Sequence, residues 1–115
     1  MNKVELLGRL TQDIEIKKTE NDNSVINFSI AVNRRFAKEG QQTADFIDCV
    51  AWNNTAEHIS KYYKKGDMIA VVGSIQTSNW IDDDGNKHYS TKVLVEEVYF
   101  TGNKKDRSDN KWNEN

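Results

Sequence analysis

The sequence predicts an all-β domain of five strands with one short helix, and three observations carry that expectation. Ile and Val number nine each against four Leu, and β-branched side chains fit a pleated surface better than a helix. Residues 25–32 alternate, with Ile26, Phe28, Ile30 and Val32 on one parity and Val25, Asn27, Ser29 and Ala31 on the other, the pattern of a strand with one face in a core. Helical spacing recurs only in the segment after Trp52. With 115 residues and 37% hydrophobic content there is room for one domain and no second.

Taken in order, the first strand runs over Lys3 to Leu10, with Gly8 inside it marking a bulge or sharp bend. A second extended piece is expected over Asp13 to Lys17, and the polar cluster from Thr19 to Ser24 reads as a turn. Strand two is the alternating stretch Val25 to Val32. Residues Asn33 to Thr43, with Arg34, Arg35 and Phe36, form a locally basic loop. Strand three follows from Ala44 to Trp52, setting Ile47, Cys49 and Ala51 against Phe46, Asp48, Val50 and Trp52.

Asn54 or Thr55 is then expected to cap the helix, Asn54 with Glu57 as reciprocal partner. Ala56, Ile59 and Tyr63 form its apolar stripe, Lys64 and Lys65 its cationic last turn, and Gly66 its stop. Strand four begins near Met68 and continues as a polar arm to Trp80. Gly85-Asn86, after three aspartates, marks a hairpin turn, and strand five returns from His88 to Phe100. Residues 1–102 make the domain, and 103–115, with one apolar residue, Trp112, are expected to be a short disordered polar tail. This order is that of a five-stranded OB-fold Greek-key barrel with one short helix between strands three and four.

Sixteen basic and 18 acidic residues give a net charge of -2 and no overall basic footprint. A lone Cys49 and two distant histidines, His58 and His88, offer neither an internal disulfide nor metal spacing, so no metal or cofactor is expected. No apolar run approaches the roughly 18 residues of a membrane span, and neither a signal peptide nor a membrane partner is expected. A cytoplasmic, reducing setting follows as the default.

Function then rests on local pattern. Phe46 and Trp52 lie six apart on one strand, away from the Ile47, Cys49, Ala51 side, and so share a face roughly 20 Å apart. Phe36 in the basic loop and Trp80 beside three aspartates stand in equally polar surroundings. Exposed aromatics of this kind are what a non-specific single-strand binder needs, because every base offers a π-face. Cations able to meet phosphates lie near them: Arg34 and Arg35, Lys64 and Lys65, Lys87 and Lys92. Each has an ordinary alternative, since a strand aromatic is as readily a core or subunit-contact residue and a single surface cation is usually just solvated.

Asn2-Lys3-Val4 with Leu7-Gly8-Arg9-Leu10, Phe28-Ser29-Ile30-Ala31-Val32-Asn33, Ala44 through Trp52, Tyr63-Lys64-Lys65-Gly66-Asp67 and Val72 through Thr77 closely resemble the bacterial single-stranded DNA-binding protein family. The resemblance covers residues 1 to about 100. It implies a homotetramer of OB-folds that wraps single-stranded DNA in replication, recombination and repair, in the cytoplasm with the nucleoid. Its base-stacking aromatics would fall on Phe36, Phe46, Trp52 and Trp80, and Lys3 with Lys64 and Lys65 match basic positions along the DNA path. The chain departs from the family pattern at Gln76-Thr77-Ser78-Asn79, which holds no cation, and at Asp48, a carboxylate between two stacking residues. The tail carries four basic and three acidic residues, so the resemblance is to a short form without the acidic tip that recruits partner enzymes in longer members.

Two rivals stay open at this level. A carboxylate-metal nuclease would need Asp45 and Asp48, which three apart on a strand face opposite ways, or Asp82-Asp83-Asp84, which sit at a turn. An OB-fold module that binds a protein or another oligomer has the same element order.

Overall fold

In the computed structural model, which describes residues 1–36 and 38–102, the alternating stretch is β3 (Ser24–Asn33), preceded by β1 (Val4–Leu10) and the two-residue β2 (Lys17–Lys18). The polar tail at 103–115 lies outside the described residues. β4 (Ala44–Trp52), α1 (Asn53–Tyr62), β5 (Met68–Ile81) and β6 (Lys87–Tyr99) complete the chain. β3 and β4 form an antiparallel ladder from Val25 opposite Trp52 to Asn33 opposite Ala44. β1 pairs along β5, Val4 opposite Gly73 through Arg9 opposite Met68, and its last two residues also pair with β3. β6 pairs antiparallel with β5 and, through Cys49 opposite Val93 and Val50 opposite Leu94, parallel with β4. The order β1-β5-β6-β4-β3 therefore closes on itself through β1 and β3, the OB-fold ring that the element order predicts.

Closure demands close approach. Gly8 causes no bulge, since its pairing with Ile69 is regular; a Cβ there would stand 2.7 Å from the Ala31 carbonyl oxygen. It lies where β1 passes from β5 to β3, and only a glycine lets the strands meet. The actual irregularity is on β6, where Val72 faces Glu97 but Gly73 faces Val95. Glu96 is the extra residue of a β-bulge, which sharpens the local twist. A Cβ on Gly73 would overlap the Leu94 carbonyl oxygen.

The ring encloses Ile26, Ile30, Ala51 and Ile69 at 0% exposure, with Ala56 and Ile59 of α1 packed into the same core. The helix starts earlier than its sequence suggests. Asn53 adopts φ 50°, a left-handed conformation that Asn tolerates, so the chain turns into the helix directly after β4. Trp52 occupies the N-cap position with no side-chain cap bond. Neither Asn54 nor Thr55 caps. Asn53 Oδ1 instead accepts the Ser24 N–H at 3.0 Å, and the buried Ser24 hydroxyl donates to Glu57 Oε2 at 2.9 Å, so Glu57 ties α1 to β3 rather than to its own N-terminus.

At the other end α1 stops at Tyr62, with Lys61 the cation of the last turn. Burial of Tyr63, 5% exposed, draws the chain inward in extended conformation, leaving Lys64 and Lys65 beyond the helix in the turn to β5. Gly66, φ 89°, closes that turn and donates its N–H to the Leu10 carbonyl at 2.8 Å. The expected extended piece at 13–17 also shifts: only Lys17 and Lys18 pair with β3.

Gly73→Ala is expected to lower stability by about 2 kcal/mol or more, because the new methyl meets backbone that cannot move without opening the β5–β6 pairing. Urea unfolding followed by far-UV circular dichroism should show a lower midpoint with an unchanged slope.

Candidate nucleic-acid interface

Strand parity assembles the site. On β4 the outward residues are Phe46, Asp48 and Trp52, with Phe46 66% and Trp52 41% exposed. Through the pairing of Val50 with Leu94, the same outward parity continues on β6 as Lys92, Ser90 and His88, and across the hairpin as Gln76, Ser78 and Trp80. One surface thus runs from β4 onto the projecting arm. Its length along the arm from Lys92 to His88 is about 13 Å at the rise of a strand.

Lys92 stands at the junction. Its ammonium donates to Asn27 Oδ1 on β3 at 3.1 Å, reaching over the β4 surface. It lines two shallow grooves, one of about 330 Å³ with Asn27, Ser29 and Asp48, the other of about 540 Å³ with Gln76, Ser78, Ser90 and Trp80. The second groove lies wholly on the hairpin arm.

Trp80, half exposed, stacks on His88 with ring centroids 5.3 Å apart and planes 18° from parallel. His88 Nε2–H donates to Asp82 Oδ2 at 2.7 Å, while Asp82 Oδ1 accepts the amides of Asp84 and Asn86, each at 2.9 Å. The hydrogen bond from His88 first, and that from the Asn86 amide next, hold the Asp82 carboxyl below its ordinary value of 3.8. Sequence reasoning missed His88 and Asp82. The signal was available, because a hairpin turn at Gly85-Asn86 places residue 80 opposite residue 88.

Phe36, 84% exposed in the β3–β4 loop, has the Arg35 guanidinium 5.2 Å from its ring centre, within cation–π range. Arg34 is differently placed. It holds Asp45 in a bidentate ion pair, Nη2 to Oδ1 at 2.7 Å and Nε to both oxygens at 3.1 and 3.2 Å. This contact raises the Arg34 pKa and lowers that of Asp45, so the pair presents little net charge.

The other nominated cations are spread out. Lys87 lies on the opposite parity of the arm, 5.6 Å from the ring centre of the exposed Tyr89. Lys3 precedes β1 at the end that pairs with Gly73, whereas Lys64 and Lys65 flank the end at Leu10, so the two groups are separated by the length of β1, about 20 Å. The structure does not gather them around the aromatics. Burial, and secondarily the Asp48 charge, pushes the Cys49 thiol up to about 12, which leaves it an inert core group. Among the described residues no three His, Cys, Asp or Glu side chains come together as a metal site, and no helix is long and apolar enough to cross a membrane.

The sequence profile of the Single-strand binding protein family matches residues 1–101. The chain belongs to that family. It is 46% identical over 101 residues to a single-stranded DNA-binding protein of Bacillus cereus, covering 87% of this chain and 59% of that protein. Another relative, single-stranded DNA-binding protein 3 of Clostridium acetobutylicum, is 48% identical over 101 residues, 87% of this chain and 70% of its own length. The chain spans about three fifths of the Bacillus cereus relative, and the match falls on the ring of strands and its hairpin arm.

The Asp82 contacts carry a pH dependence whose sign is fixed. A carboxyl held low in the folded state contributes stability that is present above its unfolded value, 3.8, and lost as pH falls through the lower folded value. The advantage of the wild type over Asp82→Ala in thermal melts should therefore shrink as pH falls below about 3.8 and vanish once the carboxyl is protonated in the folded state.

Proposed function

We propose that the chain binds single-stranded DNA without sequence preference, protecting and organising it in replication, recombination and repair in the cytoplasm, with no catalytic role. The observation that carries this reading is the continuous outward surface on which Phe46, Trp52 and Trp80 stand exposed around Lys92. Bases stack on those three rings and on Phe36, each stack contributing about 1 to 3 kcal/mol. Phosphates meet Lys92 and Arg35, and farther along the path Lys3, Lys64, Lys65 and, on the other side of the arm, Lys87. Arg34, spent on Asp45, adds less than its charge suggests. The names of the relatives, single-stranded DNA-binding proteins, support the same conclusion.

Titration of tryptophan fluorescence with poly-dT at several salt concentrations tests it. Quenching, little preference among bases and weakening with salt are expected. Trp52→Ala and Trp80→Ala should each weaken binding by about fivefold or more while folding and assembly persist. Absence of quenching at low salt would sink the reading and favour a protein-binding module on the same fold.

The proposed assembly is a homotetramer. It is supported by an apolar row on the outer side of the ring, where Leu7, 52% exposed, lies opposite Ala70, and Ala70 opposite Tyr99, 55% exposed. Sedimentation should give about four times the 13.2 kDa of the chain, and Leu7→Arg should yield smaller species. A wild-type chain sedimenting as a monomer overturns the assembly but leaves the binding surface intact.

A further inference from the structure

The arrangement around Trp80 says more than that the ring is exposed. A half-exposed indole near the end of a two-stranded arm would ordinarily sample several rotamers, and binding would have to order it, which weakens affinity. Here the cross-strand partner His88 lies almost parallel to the indole at 5.3 Å. The imidazole is itself fixed, because Asp82 accepts its Nε2–H at 2.7 Å and uses its other oxygen to bind the amides of Asp84 and Asn86. Further backbone bonds between Asp82 and Asn86 and between Gly85 and Asp82 close the same turn. One carboxylate therefore couples the geometry of the turn to the orientation of the imidazole, and through it to the indole.

Trp80 also lines the groove of about 540 Å³ together with Ser78, Ser90 and Lys92, Trp80 and Lys92 standing at opposite ends of it along the arm. His88 lies outside that lining. The volume falls within the roughly 300 to 1,000 Å³ of clefts that hold small ligands, and its polar groups suit a phosphodiester better than an apolar partner.

We infer that His88, held by Asp82, is a positioning residue that covers one side of Trp80 and presents the other as a base-stacking platform, so that the hairpin groove takes one nucleotide with its phosphate toward Lys92. This rests on the single-strand reading and specifies how its arm works. The contribution of His88 is aromatic contact and pre-organisation rather than charge, so a ring of similar size can replace it, whereas a methyl group cannot.

Two readouts on the full chain test the inference at pH 7.5. In the first, Trp80 is made the sole tryptophan by Trp52→Phe and Trp112→Phe, and acrylamide quenching is measured without DNA. His88→Ala should raise the quenching constant by about 1.5-fold or more as the second side of the indole opens, and His88→Phe should leave it near the parent value. In the second, anisotropy of a labelled dT oligomer is followed with otherwise wild-type protein across a salt series. His88→Ala should weaken binding by about threefold to tenfold with an unchanged salt slope, and His88→Phe should return it to within about twofold.

Equal acrylamide quenching in all three proteins overturns the inference. So does a His88→Phe chain as weak as His88→Ala with a shallower slope, which would assign His88 to a phosphate contact. Failure of the wild type to bind the oligomer overturns the single-strand reading together with the nucleotide in the groove. That failure is distinguishable, because the acrylamide measurement contains no DNA and still decides whether His88 braces Trp80.

Discussion

The outward surface depends on a very short contact, the parallel pairing of Cys49 with Val93 and Val50 with Leu94. Side chains alternate along a strand, so a slip of one residue in that pairing would turn the β6 set through to the other side of the sheet. Lys92 would leave the β4 surface, and the Trp80 side of the arm would no longer continue it. The register is held by burial: Cys49, Val93 and Val95 are all under 5% exposed in one core, and exchanging them for Lys92 or Leu94 would place a charge inside the ring. Hydrophobic burial within the barrel thus sets the arrangement of the aromatics outside it.

Closure through β1 has the complementary role. β1 joins β5 on one side and β3 on the other; Gly8 lets it meet Ala31 of β3, and Gly73 lets β5 meet Leu94 of β6, each at a place where a side chain would strike backbone. These contacts leave no free strand edge between β1 and β3 at the point of closure, which limits non-specific strand addition. They also free the β5–β6 hairpin to extend past the ring as an arm, because the bulge at Glu96 changes the twist where the arm departs.

Much of this was legible in the sequence, for identifiable reasons. The bounds of β4, Ala44 to Trp52, and the alternation of β3 could be read directly, because Ile26, Phe28 and Ile30 of β3 and Cys49 and Ala51 of β4 fill the core from one side of each strand. The hairpin turn was readable from Gly85-Asn86; Phe46 and Trp52 are exposed as strand parity implied, and Phe36 and Trp80 as their polar surroundings implied. The helix start was not readable, since it depends on a left-handed Asn53 and on Ser24, 33 residues before the Glu57 it binds. Arg34 looked like a free cation because nothing local reveals that the β3–β4 ladder sets Asp45 beside it, with Val32 its register partner. Asp82 read as one of three turn aspartates, and only the register distinguishes it as the partner of His88.

The net charge of -2 takes on a different meaning once the charges are placed. Arg34 is neutralised by Asp45, and Asp48 stands exposed between Phe46 and Trp52, where an anion repels phosphate but not an uncharged base. Lys92 bonds to Asn27 rather than to that carboxylate, so its charge stays open to an anionic partner at the groove junction. The surface therefore favours uncharged aromatic groups over the middle of β4 and anionic groups toward Lys92 and the loop at Arg35. Exposed charge pairs are screened at physiological salt, while stacking is much less so. On the proposed single-strand reading, an Arg34 spent on Asp45 moves the share of affinity toward the rings, and a Trp80 held against His88 then contributes more than a freely rotating one.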